Sequence, residues 1–145
     1  MDAAGFNTCL NHSMKFTGLY ELASRLVNTF LDKASRNNSF FINEIPQDLL
    51  LDANPQMFAS VLSGLLSTVV SFAKDSCIRL TAKTYGNVIL LQVKDSNTFY
   101  KYSIDKEIEK LQPLAEKMKG SISVTSQRKK LTTITFGFPN FQLND

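Results

Sequence analysis

Histidine and cysteine, the side chains most often used as metal ligands and nucleophiles, are few in this sequence, and their spacing narrows the choice. His12 is the only histidine, so a multi-histidine metal site is excluded. Cys9 and Cys77 stand too far apart for a metal-binding or redox spacing, and each reads as a small apolar side chain. Lys117, Lys119, Arg128, Lys129 and Lys130 crowd one stretch of chain. No aromatics interleave with them to stack bases, so a solvated turn is a better reading than a nucleic-acid surface. Asp95 closes the run Val93-Lys94-Asp95-Ser96-Asn97, which on its residues alone makes a good strand-ending turn.

The elements that hold these residues must fit 145 residues and 16.2 kDa, the size of one domain, which excludes a multidomain enzyme. Hydrophobic residues at 43% and charged residues at 20% are globular usage, leaving little room for disorder or a coiled coil. A net charge of +3 is too mild to demand a polyanionic partner. The richest apolar stretch, Val61 to Phe72, is interrupted by Ser63, Gly64, Ser67, Thr68 and Ser71, so a membrane span of ~18 residues is not expected. The start Met1-Asp2-Ala3-Ala4-Gly5 lacks the basic and apolar blocks of a signal peptide. A cytoplasmic chain with no membrane partner is expected.

Residues 1–15 show no clean period and read as a lead-in, followed by one domain over 16–140 and a tail at 141–145. Leu19, Leu22, Ala23, Leu26, Val27, Phe30, Leu31 and Ala34 recur at three and four, which predicts one helix with Thr17 as its N-cap and Asn37-Asn38 past its end. Phe40 to Ile45 reads as a first strand closed by Pro46. Asn54-Pro55 starts a helix with Phe58, Val61, Leu62, Leu65, Leu66, Val69 and Val70 on one stripe. Strands over Cys77 to Thr84 and Val88 to Lys94 are joined at Tyr85-Gly86-Asn87. A third helix carries Ile104, Ile108, Leu111, Ala115 and Met118; Pro113 predicts a kink or restart, and Gly120 a left-handed end. Strands Ser121 to Ser126 and Leu131 to Phe138 finish the domain. The aromatics Phe40, Phe41, Phe136 and Phe138 fall on strands and are expected in the core, with Phe141 beyond them. The order predicts an α+β fold: a two-layer sandwich whose mixed, mostly antiparallel sheet is covered on one face by about three helices.

Three stretches carry a family resemblance. Asn54-Pro55, followed by Val61-Leu62-Ser63-Gly64-Leu65-Leu66-Ser67-Thr68-Val69, resembles an Asp-Pro lead into a helix reading Val-Leu-x-Asn-Leu-Leu-x-Asn-Ala. Val93-Lys94-Asp95-Ser96-Asn97 is similar to Val-x-Asp-Asn-Gly. The stretch Leu111 to Pro139 looks like the closing helix and strands with their terminal proline. Together they resemble the ATP-binding domain of sensor histidine kinases, whose Bergerat fold is shared with DNA gyrase, mismatch-repair ATPases and heat-shock chaperone ATPases. The resemblance spans Lys15 to Pro139.

It implies roles residue by residue. Asp95 stands where the family's carboxylate accepts the adenine amino group, and Thr133 matches a threonine of the closing strands. Gly64 and Thr68 replace the two asparagines, the second of which holds magnesium; a threonine hydroxyl binds magnesium in other phosphate sites. Asn97 replaces a glycine that lets backbone approach the nucleotide, and Leu131 replaces another. Where the family has a glycine-rich phosphate cradle, this chain has Ser103-Ile104-Asp105-Lys106-Glu107-Ile108, two carboxylates that would repel a triphosphate at a helix start. Too few residues separate Asp95 from Ser103 for a lid, and Phe99, Tyr100 and Tyr102 are expected to fold over the cleft instead. His12-Ser13-Met14-Lys15 is only faintly similar to a phosphoacceptor box, so a solvated histidine is expected there.

The pattern keeps scaffold residues and loses phosphate chemistry, which implies a degenerate ATP-binding domain without catalytic residues or bound cofactor, acting as a signalling or protein-interaction module. Its partners would be a kinase, a response regulator or a second copy docking on the first helix. The alternative is a working histidine kinase domain that binds ATP and Mg through Asp95, Thr133 and Thr68.

Overall fold

In the computed structural model, which describes residues 17–97, 101–127 and 131–141, alternation along the strands decides what faces what. Four segments of alternating apolar residues pair into an antiparallel run, and a short fifth strand joins one edge. The elements are β1 (Thr17–Gly18), α1 (Leu19–Thr29), α2 (Leu31–Arg36), β2 (Phe40–Asn43), β3 (Leu50–Leu51), α3 (Pro55–Phe72), β4 (Cys77–Tyr85), β5 (Val88–Asp95), α4 (Lys101–Lys117), β6 (Ser121–Gln127) and β7 (Leu131–Pro139). The main sheet runs β2-β4-β5-β7-β6, with β2 parallel to β4 and every other pair antiparallel. β1 and β3 form a separate two-stranded pair. This is the expected α+β sandwich with a mixed, mostly antiparallel sheet.

Register puts the apolar rows on one face. Leu80, Val93 and Ile134 lie abreast, as do Ala82, Leu91 and Phe136, and all are buried. The α3 stripe of Phe58, Val61, Leu62, Leu65, Leu66, Val69 and Val70 is buried as the spacing predicts, and Phe58 packs its ring near Phe136 and Phe138 at centroid distances of 6.3 and 5.5 Å. At 18 residues and a mean hydropathy of 1.3, α3 does reach the length and apolarity of a membrane span, contrary to expectation, but the residues responsible form the core of this fold. Asn54 caps α3 as predicted, its Oδ1 accepting from the Gln56 and Met57 amides at 2.9 and 3.1 Å.

Several sequence expectations are corrected. The first helix breaks at Phe30, whose φ of −108° and ψ of 6° leave the helical region, so Leu31 turns outward and is exposed. Thr17 is not an N-cap; it pairs with Leu51, and Gly18 takes the cap position without a side-chain bond. Pro113 does not restart α4, which runs through it. The left-handed residue after α4 is Lys119, with φ of 61°, rather than Gly120. The Gly120 amide donates to Ala115 O and that of Lys119 to Glu116 O, a Schellman closure. Gly120 is needed for a different reason: a Cβ there would lie 2.4 Å from the Gly137 carbonyl oxygen. Phe40 is exposed at the sheet edge, whereas Phe41 is half-buried and Phe136 and Phe138 are buried.

Candidate functional site

Asp95 is the last rung of a buried row. Ile89, Leu91, Val93 and Asp95 alternate along β5 toward the helices, and the carboxylate at the end of that row is only 1% exposed. Its neighbours across the sheet are Ile78 on β4 and Thr132 on β7. The Asp95 Oδ1 atom accepts from the Ser76 hydroxyl and, at 3.1 Å, from the Asn97 amide. Such a carboxylate is satisfied in the interior by donors the chain itself supplies.

Ser76 ties three elements to that carboxylate. Its amide donates to Ser39 Oγ at 3.1 Å, its carbonyl accepts from Phe40 N at 3.0 Å, and its Oγ lies 3.2 Å from Ser96 Oγ. Ser96 Oγ in turn accepts from the Cys77 amide at 3.0 Å. Asn97 bridges from the other side, its Nδ2 donating to Lys74 O at 2.7 Å. The start of β2, the turn into β4 and the end of β5 are therefore joined through one polar cluster centred on Asp95.

The other expected site residues separate into those near this row and those turned away. Thr133 pairs with Lys94, one residue out of phase with Asp95 and so on the opposite face of the sheet. Thr132, one residue earlier, faces Asp95 and is buried, with its Oγ1 3.4 Å from Ser126 Oγ. Leu131 is half-buried opposite Gln127 where β6 and β7 end. Thr68 is buried on α3 and donates its hydroxyl to Gly64 O at 2.8 Å, one turn back in the same helix. Gly64 is a contact position: a Cβ there would meet Leu111 Cδ2 at 2.5 Å, so its hydrogen lets α3 and α4 approach. Asp105 and Glu107 fall beyond the first turn of α4, because that helix begins at Lys101, and Glu107 pairs with Lys110 at 3.0 Å. Cys77 is a free, half-buried thiol.

Expectations for Cys9, His12, Phe99, Tyr100, Arg128, Lys129 and Lys130, and for the side chain of Tyr102, lie outside the described residues. Among the described residues no group of three or more His, Cys, Asp and Glu side chains is placed to hold a metal ion. The cavities lined by described residues at Pro46–Tyr85, at Arg36–Asp75 and beside Phe141 do not include Asp95 or Thr68.

The sequence reading missed Ser76, Ser39 and Thr132. Thr132 was within reach of it, since it is in phase with Ile134, Phe136 and Phe138, and counting back from Val88 opposite Pro139 brings it beside Asp95. Ser76 and Ser39 meet only because β2 lies parallel to β4, and no local pattern signals that pairing.

No protein-family profile and no curated protein matches the sequence. Solved structures do match. The catalytic domain of histidine kinase ThkA superposes with a TM-score of 0.70 at 18% identity, covering 87% of this chain and 97% of that one. Acinetobacter baumannii histidine kinase AdeS gives a TM-score of 0.71 at 10% identity over 88% of this chain and 67% of its own. Full-length ShkA in complex with AMPPNP gives 0.71 at 13% identity, this chain covering 90% of itself but only 32% of ShkA.

Proposed function

We propose that this chain, which has the fold of histidine kinase ATP-binding domains, is a degenerate member of that type whose base-reading position is closed, serving as a non-catalytic signalling or protein-interaction module in two-component-type regulation. One observation carries the reading: the carboxylate at the expected adenine position is 1% exposed and bonded to Ser76 and Asn97 of its own chain. The positions expected to hold metal support it. Gly64 is filled by Leu111, and the Thr68 hydroxyl bonds its own helix. A protein partner, a kinase or a response regulator, fits a scaffold retained for its surface.

Thr132 favours a second reading. Asp95 and Thr132 lie abreast on the helix-facing side of the sheet, the arrangement a nucleotide-binding phosphotransferase domain of this fold would use, with ATP and Mg as its ligands. Nucleotide affinity separates the two. Isothermal titration of ATP and ADP, with and without Mg, into wild type and Asp95→Asn is expected to give no heat, and no thermal shift at millimolar nucleotide. Micromolar binding that Asp95→Asn abolishes would overturn the degenerate reading and favour the phosphotransferase.

A further inference from the structure

Among the described residues the outer edge of β6 carries no partner strand, and its own sequence can supply one. β6 ends the sheet, and its register with β7 runs unbroken from Ser121 opposite Gly137 to Gln127 opposite Leu131. Gln112 of α4 marks which main-chain groups point outward. Its Nε2 donates to Ile122 O at 2.7 Å and its Oε1 accepts from Ile122 N at 3.3 Å. Main-chain groups alternate in direction along an antiparallel strand. The N–H and C=O of Val124 and Ser126 therefore also point outward, and none of the hydrogen bonds among the described residues engages them. The strand Ser-Ile-Ser-Val-Thr-Ser-Gln has no charge and no proline, and its register holds no bulge, so it lacks the devices that usually protect an edge.

We infer that β6 pairs with β6 of a second copy, antiparallel about a two-fold axis at Thr125. In that register Val124 of each copy exchanges both main-chain hydrogen bonds with Ser126 of the other, and the open donors and acceptors of these two residues are all used. A two-fold axis at Val124 would instead call on the Ile122 groups that Gln112 already holds. The chosen axis leaves that clip intact, which is why the open set fits its own copy. Thr125, exposed on the face away from the helices, meets its counterpart as a non-hydrogen-bonded pair, a favourable Thr–Thr contact with no like charges opposed. Two five-stranded sheets become one continuous sheet. Only two rungs join, so the association is weak and depends on concentration. This edge lies two strands from Asp95, with Ser126 touching Thr132 between them, and the pairing uses main-chain groups whether or not nucleotide binds.

Sedimentation equilibrium of the full chain tests it. The mass is expected to rise from 16.2 kDa toward twice that value as concentration increases through the high micromolar range. Ser126→Pro removes an outward N–H that β7 does not use, and should weaken association by about tenfold or more while leaving circular dichroism unchanged. Under oxidation, Thr125→Cys should cross-link as a dimer beyond the wild-type background, whereas Ser123→Cys, facing Gln127 of the other copy, should not. If Ser126→Pro fails to fold, the two cysteine variants decide. A monomer at every concentration, association indifferent to Ser126→Pro, or equal cross-linking through Ser123→Cys and Thr125→Cys would overturn the pairing.

Discussion

Ser76 is worth more to this chain than its size indicates, because its hydroxyl is a principal donor to a carboxylate that water does not reach. Ser76→Ala leaves that buried acceptor short of a partner, and a loss of about 1–3 kcal/mol is expected, read as a lower denaturation midpoint in urea. An unchanged midpoint would mean that water enters beside Asp95. The two contact glycines differ in the same physical terms. At Gly120 an added methyl meets a main-chain oxygen 2.4 Å away and has Phe138 Cβ at 3.0 Å, neither of which can swing aside. Gly120→Ala should therefore cost about 2–3 kcal/mol. At Gly64 the obstacle is the Leu111 side chain, which can change rotamer, and the alanine recovers roughly 1 kcal/mol of helix propensity. Gly64→Ala should be the milder variant, and thermal denaturation of the pair checks the order. The sequence marks both glycines as special, yet it assigns Gly120 to backbone conformation, where Lys119 serves instead. Which residue of a helix end turns left-handed depends on what lies opposite it, here the Gly137 carbonyl.

Elements with one buried face were legible and very short ones were not. β4, β5 and β7 alternate cleanly because the helices cover one side, and their expected bounds hold to within about a residue at each end. β1 and β3 are two residues each, too short for any period, and exist because Thr17 and Gly18 find Leu51 and Leu50. The break at Phe30 was hidden because apolar spacing continues across it through Leu31 and Ala34. Only tertiary packing shows that Leu31 leaves the core while Ala34 stays in it. At the start of α3, Asn54 holds two otherwise unpartnered amides, and Asn54→Ala should cost about 1 kcal/mol of stability. Chemical denaturation measures it, and a change within error would mean that Pro55 and the core packing fix the helix start unaided.

Across the whole molecule, Asn140 ties the end of β7 to the β3 segment and to the turn between β4 and β5. It is buried, its Oδ1 accepts from the Asp52 amide at 2.6 Å, its Nδ2 donates to Leu50 O at 3.1 Å, and its amide donates to Asn87 O at 2.7 Å. Asn140→Ala strands main-chain groups of the β3 segment and should cost about 2–3 kcal/mol, with the larger loss of protection at Leu50 and Asp52 in hydrogen exchange. Protection lost evenly along the chain would argue against that link. Asn140 carried no signal in the sequence because both side-chain partners are far away along the chain. The same limit explains why Asp95 could be singled out in advance while the serines that hold it could not.

The parallel pairing of β2 with β4 also bears on the order of folding. Its two strands are separated by all of α3, so the pair cannot zip from a hairpin as β4–β5 and β6–β7 can, and closing that loop costs chain entropy before any rung is gained. The strands from Cys77 onward should thus assemble early, with residues 17–51 docking afterwards. A late-docking segment is also the first to detach. In native-state exchange, the β2 amides should open at a lower free energy than those of β5, leaving the antiparallel sheet standing without its parallel edge. Equal opening energies for the two strands would mean instead that the domain folds and unfolds as one unit.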